Sequence, residues 1–379
     1  MSLSFLYGLS ALLHLYLAAR LLPAQPGTWP GVTLAAVLAL SALAMPLGLV
    51  ARRFARGPRA DALAFAGLLC MGLFSSLLVL TLARDGVLLL AWLAGWLAAA
   101  PWPGPQLVQA TAVGVPLLAL AVTALGYLNA RRTARVVTVD IPVAGLPAGL
   151  HGFRIAQISD IHVGPTIKQA YLDGIVDAVN ALRADLVAIT GDLVDGTVAE
   201  LASHVAPLAR LQSREGSFFV TGNHEYYSGA GPWLAELARL QVRTLMNEHV
   251  LIERDGATLV LAGVADWGAH HFDISHKSDA AAALHGAPAG AALRILLAHQ
   301  PRSAPAAAQA GFDLQLSGHT HGGQFLPWNL FVRFQQPFTA GLHRLGRLQV
   351  YVSRGTGYWG PPKRLGAPSE ITLLRLVSV

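Results

Sequence analysis

The chain has 379 residues, 54% of them hydrophobic and only 13% charged, with a formal net charge of +6. That balance excludes an ordinary soluble globular protein and puts part of the chain in lipid. Residues 1–135 hold nine Arg, no Lys and two acidic residues, whereas residues 136–379 hold 18 basic and 19 acidic residues, so the downstream part lacks the overall positive charge by which nucleic-acid binders engage phosphate.

Four apolar runs are long enough for the roughly 20 helical residues that cross a hydrocarbon core: Leu3–Leu22, Val32–Val50, Ala62–Ala83 and Leu107–Leu128. A fifth run, Val87–Ala100, is too short, and reads as a continuation of the third helix past Arg84 and Asp85 or as a re-entrant piece ending at the proline-rich stretch 101–105. The first run lacks a basic start and is followed by further spans, so it reads as a helix, not a cleaved signal. Arg52, Arg53, Arg56 and Arg59 follow the second run, and Arg131, Arg132 and Arg135 follow the last. With four spans both clusters fall on the cytoplasmic side, and the downstream domain with them. The runs carry almost no ionisable residue apart from His14, which favours an anchor over a transporter. The single cysteine, Cys70, lies in the third run, which excludes an intramolecular disulfide and a thiolate zinc site.

From Val136 the pattern changes to short β-rich runs alternating with helical stretches such as Ile167–Leu182 and Pro232–Leu240, an α/β signature. The expected division is a helical anchor over 1–130, a linker and first strand over 131–150, and an α/β domain over 151–379. The strands expected within that domain are Phe153–Ser159, Leu186–Thr190, Ser217–Thr221, Thr258–Val264, Arg294–Ala298, Leu314–Leu316, Leu348–Val352 and Ile371–Leu376.

Five of these runs close on a polar cluster: Asp160 with His162; Gly191 with Asp192; Gly222, Asn223, His224 and Glu225; His299 with Gln300; and His319 with His321. Residues i and i+2 of an extended chain point the same way, so His319 and His321 can aim two imidazoles at one spot. Any one cluster alone is an ordinary polar loop or Asx turn. Five in succession, mixing Asp, Asn and His without a thiolate, suit borderline-hard ions such as manganese, iron or zinc. Two ions about 3.5–4 Å apart need a bridging carboxylate and can hold a phosphate between them.

The blocks D-x-H, G-D, G-N-H-E, H and G-H-x-H resemble those of the calcineurin-like metallophosphoesterases, and the resemblance covers about residues 150–379. Gly322, Gly323 and Gln324, with the runs 352–357 and 368–371, are similar to the membrane-associated bacterial branch. The resemblance implies a metallophosphoesterase-type β-sandwich flanked by helices behind the transmembrane bundle, in a bacterial inner membrane. It implies that Asp160, His162 and His321 hold a first metal, that Asn223, His299 and His319 hold a second, and that Asp192 bridges them. Water activated between two divalent or trivalent ions would then attack phosphorus. His224 would lie near the phosphate, stabilising charge or protonating the leaving group, and Glu225 would orient a neighbour through hydrogen bonds.

Further expectations concern the surroundings. His270, His271, Asp273 and His276 read as a flap over the cleft in preference to a third metal site. Arg354 is either a phosphate contact or a structural ion pair, and Tyr358 with Trp359 either an apolar wall or a core cover. The leading expectation is a membrane-anchored, dinuclear phosphohydrolase acting on a phosphodiester or pyrophosphate, with a phosphorylated small molecule or a lipid-linked compound as substrate and no nucleic-acid partner. The alternatives are a phosphodiesterase on a soluble nucleotide, a non-catalytic metal or phosphate sensor, and a transporter with a regulatory hydrolase domain.

Overall fold

The computed structural model describes residues 2–54, 57–98 and 104–379. Arg56 and residues 101–103 lie outside the described residues, as do the side chains of Arg52 and Arg53, so neither the arginine loop nor the proline-rich stretch is characterised. The chain divides into two compact units: Met1–Arg131 with Gly360–Leu365, and Arg132–Trp359 with Gly366–Val379.

The first unit contains α1 (Leu3–Leu21), α2 (Trp29–Phe54), α3 (Pro58–Leu97) and α4 (Gly104–Arg131). All four are long and apolar enough to cross a membrane. The run after Arg84 and Asp85 continues the third helix without a break, as one of its two readings expected. At 40 residues, α3 is about 60 Å long, roughly twice the hydrocarbon thickness. Its mid-helix charges are paired: Arg20 reaches Asp85 through two bonds of 2.8 and 2.9 Å, and Arg84 donates to Thr111 Oγ1 at 3.0 Å. Gly48 and Gly67 pack α2 against α3 so closely that a Cβ on Gly48 would stand 2.7 Å from the Gly67 Cα. Small residues let apolar helices approach in this way where lipid supplies no hydrophobic drive. The excursion Gly360–Leu365 belongs to the same unit, with Lys363 Nζ donating to the Gly72 carbonyl at 2.8 Å and the Arg364 N–H to the Gly126 carbonyl at 2.9 Å.

The second unit is a sandwich of two six-stranded sheets. Its strands are β1 (Arg135–Val143), β2 (Arg154–Ile158), β3 (Leu186–Ile189), β4 (Ser217–Phe219), β5 (Val242–Thr244), β6 (Glu248–Arg254), β7 (Ala257–Gly263), β8 (Leu293–Leu297), β9 (Leu314–Ser317), β10 (Gly341–Leu345), β11 (Leu348–Val352) and β12 (Glu370–Ser378). One sheet runs β1-β12-β2-β3-β4-β5 and the other β10-β11-β9-β8-β7-β6. The strands β2 to β5 pair in parallel, as do β7, β8, β9 and β11. Strands buried on both faces read as continuous apolar runs, which is why these central strands were legible. Between the sheets lies one core that includes Ile155, Leu186, Phe218, Leu261, Ile295, Leu316 and Leu374.

Helices cover the outer faces: α5 (Gln169–Ala181), α6 (Val198–Val205), α7 (Asn223–Ser228), α8 (Ala230–Arg239), α9 (Ala280–Ala283), α10 (Ala304–Ala310) and α11 (Trp328–Gln335). The amphipathic α5 buries Leu172, Ile175, Val176 and Val179, and Ala304 and Ala307 of α10 join Leu296 and Val350 on the far side of the second sheet. Leu261 sits at 0% exposure in the inter-sheet core. Leu261→Ala is therefore expected to cost about 2–5 kcal/mol, read as a lower urea midpoint of the detergent-solubilised protein, and an unchanged midpoint would contradict this packing.

Candidate metal centre

The parallel strands deliver the polar clusters to one end of the sandwich. Asp160 and His162 follow β2, Asp192 follows β3, Asn223 and His224 follow β4, His299 follows β8, and His319 and His321 follow β9. Ligand sites in open α/β sheets form beyond the carboxyl ends of strands in this way. The turn at each strand end is sharp. Asp160, His162, Asp192, His319 and His321 all take positive φ, between 51° and 70°. Non-glycine residues reach that region only against a steric cost, and such strain collects at functional sites. Hydrogen bonds hold the turns: the Asp160 N–H donates to the Gly191 carbonyl at 3.0 Å and the His162 N–H to the Asp192 carbonyl at 3.1 Å. Two motif glycines are forced by close approach, since a Cβ on Gly222 would strike the Asp192 carboxylate and one on Gly318 would strike Asp160.

Two groups of ligand atoms result, Asp160 with His162 and His321, and Asp192 with His299 and His319, each with its donor atoms within 4.8 Å of one another; a third set, His162, Asp192 and His224, meets the same limit and lies between them. His162 Nε2 stands 3.1 Å from His321 Nε2, and His299 Nε2 stands 3.1 Å from both His319 Nδ1 and Asp192 Oδ2. The tautomers are set from behind: His162 Nδ1 faces Asp195 at 3.0 Å, and His299 Nδ1 faces the Thr190 carbonyl at 2.8 Å. Each of those partners is an acceptor, so each Nδ1 carries a proton and each ring turns its Nε2 toward the cluster. Asn223 Oδ1 is buried with no hydrogen-bond partner. A buried, unsatisfied carbonyl oxygen beside converging ring nitrogens fits a cation.

The electrostatics show how tightly these groups are coupled. Burial raises the pKa of Asp160. Burial opposes ionisation of Asp192 as well, yet the His299 and His224 charges hold it well below the usual carboxylate range. Burial and the charge on His299 push His319 down to about 3. For His224, burial is outweighed by Asp192 and Asp195, which raise it to about 9. Glu225 is pushed up to about 7 by burial and by Asp192, against the pull of backbone donors. Those donors are the N–H groups of Asp192, Leu193, Val194 and Gly222, at 3.0, 2.8, 3.3 and 2.6 Å. Glu225 thus ties the loop after β3 to the loop after β4, which is the orienting role expected of it.

The calcineurin-like phosphoesterase family pattern matches residues 153–323. A Bos taurus protein described as a transmembrane protein with metallophosphoesterase domain is 41% identical over 81% of this chain and 72% of its own length. The chain belongs to the calcineurin-like phosphoesterase family. A Danio rerio protein of the same description is 41% identical over 68% of this chain and 61% of its own, and an uncharacterized metallophosphoesterase of Campylobacter jejuni is 37% identical over 65% and 64%. The chain thus spans just under two thirds of the length of the last two. Relatives come from animals as well as bacteria, and calcineurin-like phosphoesterases are metal-dependent hydrolases of phosphate esters.

With the family fixed, the remaining residues sort by what they touch. Sequence reasoning missed Asp195, whose Oδ1 accepts from His162 Nδ1 at 3.0 Å and from His224 Nδ1 at 2.6 Å. Its burial would raise its pKa, but the two imidazoles outweigh that and hold it well below the carboxylate range. The signal was available in its spacing three residues after Asp192, but the bridge that pairs Val163 with Val194 and brings Asp195 under both rings is a long-range contact. Arg354 forms an ion pair with Glu370 at 2.9 Å, the structural alternative. Tyr358 is buried, its hydroxyl donating to the Thr166 carbonyl, whereas Trp359 is 43% exposed and lines the pocket. Gln324 exchanges two bonds, of 2.9 and 3.0 Å, with the Trp359 backbone and so places that ring. His276 is engaged by the Tyr226 hydroxyl at 3.0 Å, and no group of three or more convergent ligands includes the 270–276 histidines among the described residues.

Asp195 fixes two imidazoles without entering either ligand group. Asp195→Asn is expected to lower metal affinity or turnover by about 10- to 100-fold, the scale for losing a carboxylate behind a ligand histidine. Metal titration and turnover measured together check this, and wild-type values in both would remove the assigned role.

Proposed function

We propose that this chain is a membrane-anchored phosphohydrolase that holds two divalent or trivalent metal ions, manganese, iron or zinc, and cleaves a phosphodiester or pyrophosphate bond in a lipid-linked substrate. The observation that carries this reading is that Asp192 is shared by two ligand groups, one with His299 and His319 and one with His162 and His224, while Asn223 Oδ1 is buried and unpartnered in the same pocket. Asp160, His162 and His321 would hold one ion, and Asn223, His299 and His319 the other, with Asp192 between them. Bound there, the ions would polarise a phosphoryl oxygen, offset charge developing on phosphorus and lower the pKa of a water molecule.

The chain's own residues do the rest. His224 keeps Nδ1 on Asp195 and turns its other nitrogen toward the pocket, where it donates a proton to the departing oxygen. Its N–H backbone group donates to Asp192 Oδ1 at 2.9 Å, which couples the acid to the bridging carboxylate. The pocket of about 230 Å³ is walled by Tyr227, Trp328, Val332 and Trp359, an apolar lining suited to the non-phosphate part of an amphiphile. Four helices of membrane-spanning length in the same chain support a substrate met at a bilayer, and the inner membrane of a bacterium with the catalytic unit on the cytoplasmic face is the proposed location. The ligand set is complete, so a non-catalytic sensor finds no support in it.

The test is hydrolysis by the purified detergent-solubilised protein with manganese added, run on an aryl phosphodiester, an aryl phosphomonoester and UDP-diacylglucosamine. Chelation is expected to abolish turnover, and preference for the lipid-linked compound is expected over the two soluble ones. Two metals bound without turnover on any of them would instead support a sensor. Asp192→Asn is expected to lower metal occupancy and turnover together, and near-normal turnover would sink the bridging assignment. His224→Ala is expected to keep its metal while kcat drops by about 10²-fold or more, so that loss of metal in this variant would make His224 a ligand.

A further inference from the structure

The eight residues of α11 reverse the usual pattern of a surface helix. Val332 alone is buried, while Phe334 is 81%, Phe331 50% and Leu330 47% exposed. Trp328, Val332 and Gln335, spaced i, i+4 and i+7, lie on the face that lines the pocket, with Phe331 flanking that face and Phe334 and Leu330 turned away from it. The same rim carries further exposed rings. Trp359 stands 5.9 Å and Tyr227 5.2 Å from the His224 ring, and Phe272 stands 5.6 Å from Tyr227. Exposed rings gathered at one rim differ from the singly scattered apolar residues of an ordinary surface.

The charge on and against α11 is positive. From Leu314 to Ser369 the chain carries no Asp or Glu, and Arg333 lies on α11 itself. Arg302 joins it, donating to the Gln335 carbonyl at the end of α11. Aromatic rings with flanking arginines are the composition of a segment lying in a membrane interface, the rings at headgroup depth and the cations on anionic lipid. The same chain carries four helices of spanning length, and residues 132–134 alone separate α4 from β1.

We infer that the exposed face of α11, with Phe331 and Phe334 at its centre, docks onto an anionic lipid surface and opens the pocket directly to it. This deepens the phosphohydrolase reading, since a docked rim would let an amphiphile pass from the bilayer to the site with its apolar part never crossing water. The lipid contact itself stands on the rim's own residues.

The experiment uses the full chain with Cys70→Ser, carrying a spin label at Phe331→Cys or Phe334→Cys, reconstituted in phosphatidylcholine–phosphatidylglycerol liposomes. Arg239→Cys on α8, 64% exposed, serves as the aqueous control. Labels at 331 and 334 are expected to collide several-fold more with oxygen than with a water-soluble nickel chelate, and the control the reverse. Water-like behaviour at 331 and 334 overturns the inference, and so does shielding from both reagents, which would mean a protein or second-copy cover. In the same liposomes, a Phe331→Ser, Phe334→Ser double variant is expected to lose several-fold turnover on a vesicle-embedded long-chain phosphodiester while keeping wild-type turnover on a short-chain soluble one. An equal effect on both overturns it. Should the wild-type protein hydrolyse neither substrate, the phosphohydrolase reading fails while the accessibility measurement still decides the docking.

Discussion

Three carboxylates, those of Asp160, Asp192 and Glu225, sit almost without solvent exposure at the end of an apolar sandwich, and the surrounding structure is arranged to keep them there. A buried carboxylate without donors costs several kcal/mol. Each therefore has a dedicated partner set: the His319 N–H donates to Asp160, the His224 N–H and the His299 ring face Asp192, and four backbone N–H groups aim at Glu225. Meeting those demands at once forces the strand ends to turn abruptly. The positive φ angles at five site residues and the bare glycines at 222 and 318 follow from that crowding. The strain is offset by the parallel strands behind it, whose apolar side chains lock the sheets together and leave the turns little freedom to relax.

The division of labour within the second unit follows from which parts are rigid. Ligands come from strand ends, where a shift of one residue would reverse every side chain, while the pocket walls come from α11, from Trp359 and from Tyr227 on α7. The same ligand chemistry can thus serve many substrates across the family, with discrimination left to aromatic residues in segments that tolerate change. Gln324 links the two layers: it follows directly on the histidine pair yet spends its amide on fixing Trp359.

How much of this was legible in the sequence depended on whether the decisive contact was local. The clusters after β2, β3, β4, β8 and β9 could be read because an apolar run ending in Asp or His is visible in a few residues, and the resemblance supplied their grouping. β6 and β10 were not separated from loops, since their polar and half-exposed residues, such as Glu248, Glu253, His343 and Arg344, blur the two-residue alternation. Asp195 was not singled out at all, because only the pairing of Val163 with Val194 places it behind two rings. The run after Asp85 looked interrupted because two adjacent charges break hydropathy, yet the helix continues once Arg20 and Thr111 satisfy them. The prolines and cations of 361–364 resemble a solvated loop, whereas Lys363 and Arg364 are buried among α3 and α4, an outcome that rests on partners more than two hundred residues away.

One topological detail bears on how the molecule comes into being. β12 follows the other eleven strands in the chain, yet it lies second in its sheet, between β1 in parallel and β2 in antiparallel pairing. During synthesis the membrane helices and β1 emerge first, and β1 then waits with both edges bare until more than two hundred further residues have been added. The strand that joins it to the sheet arrives last. Long-range pairing of this kind is slow to close and leaves apolar strand edges open meanwhile. The first sheet therefore cannot close until β12 has been made, and a nascent chain that lacks Glu370–Ser378 leaves β1 unpaired beside an unfinished sheet.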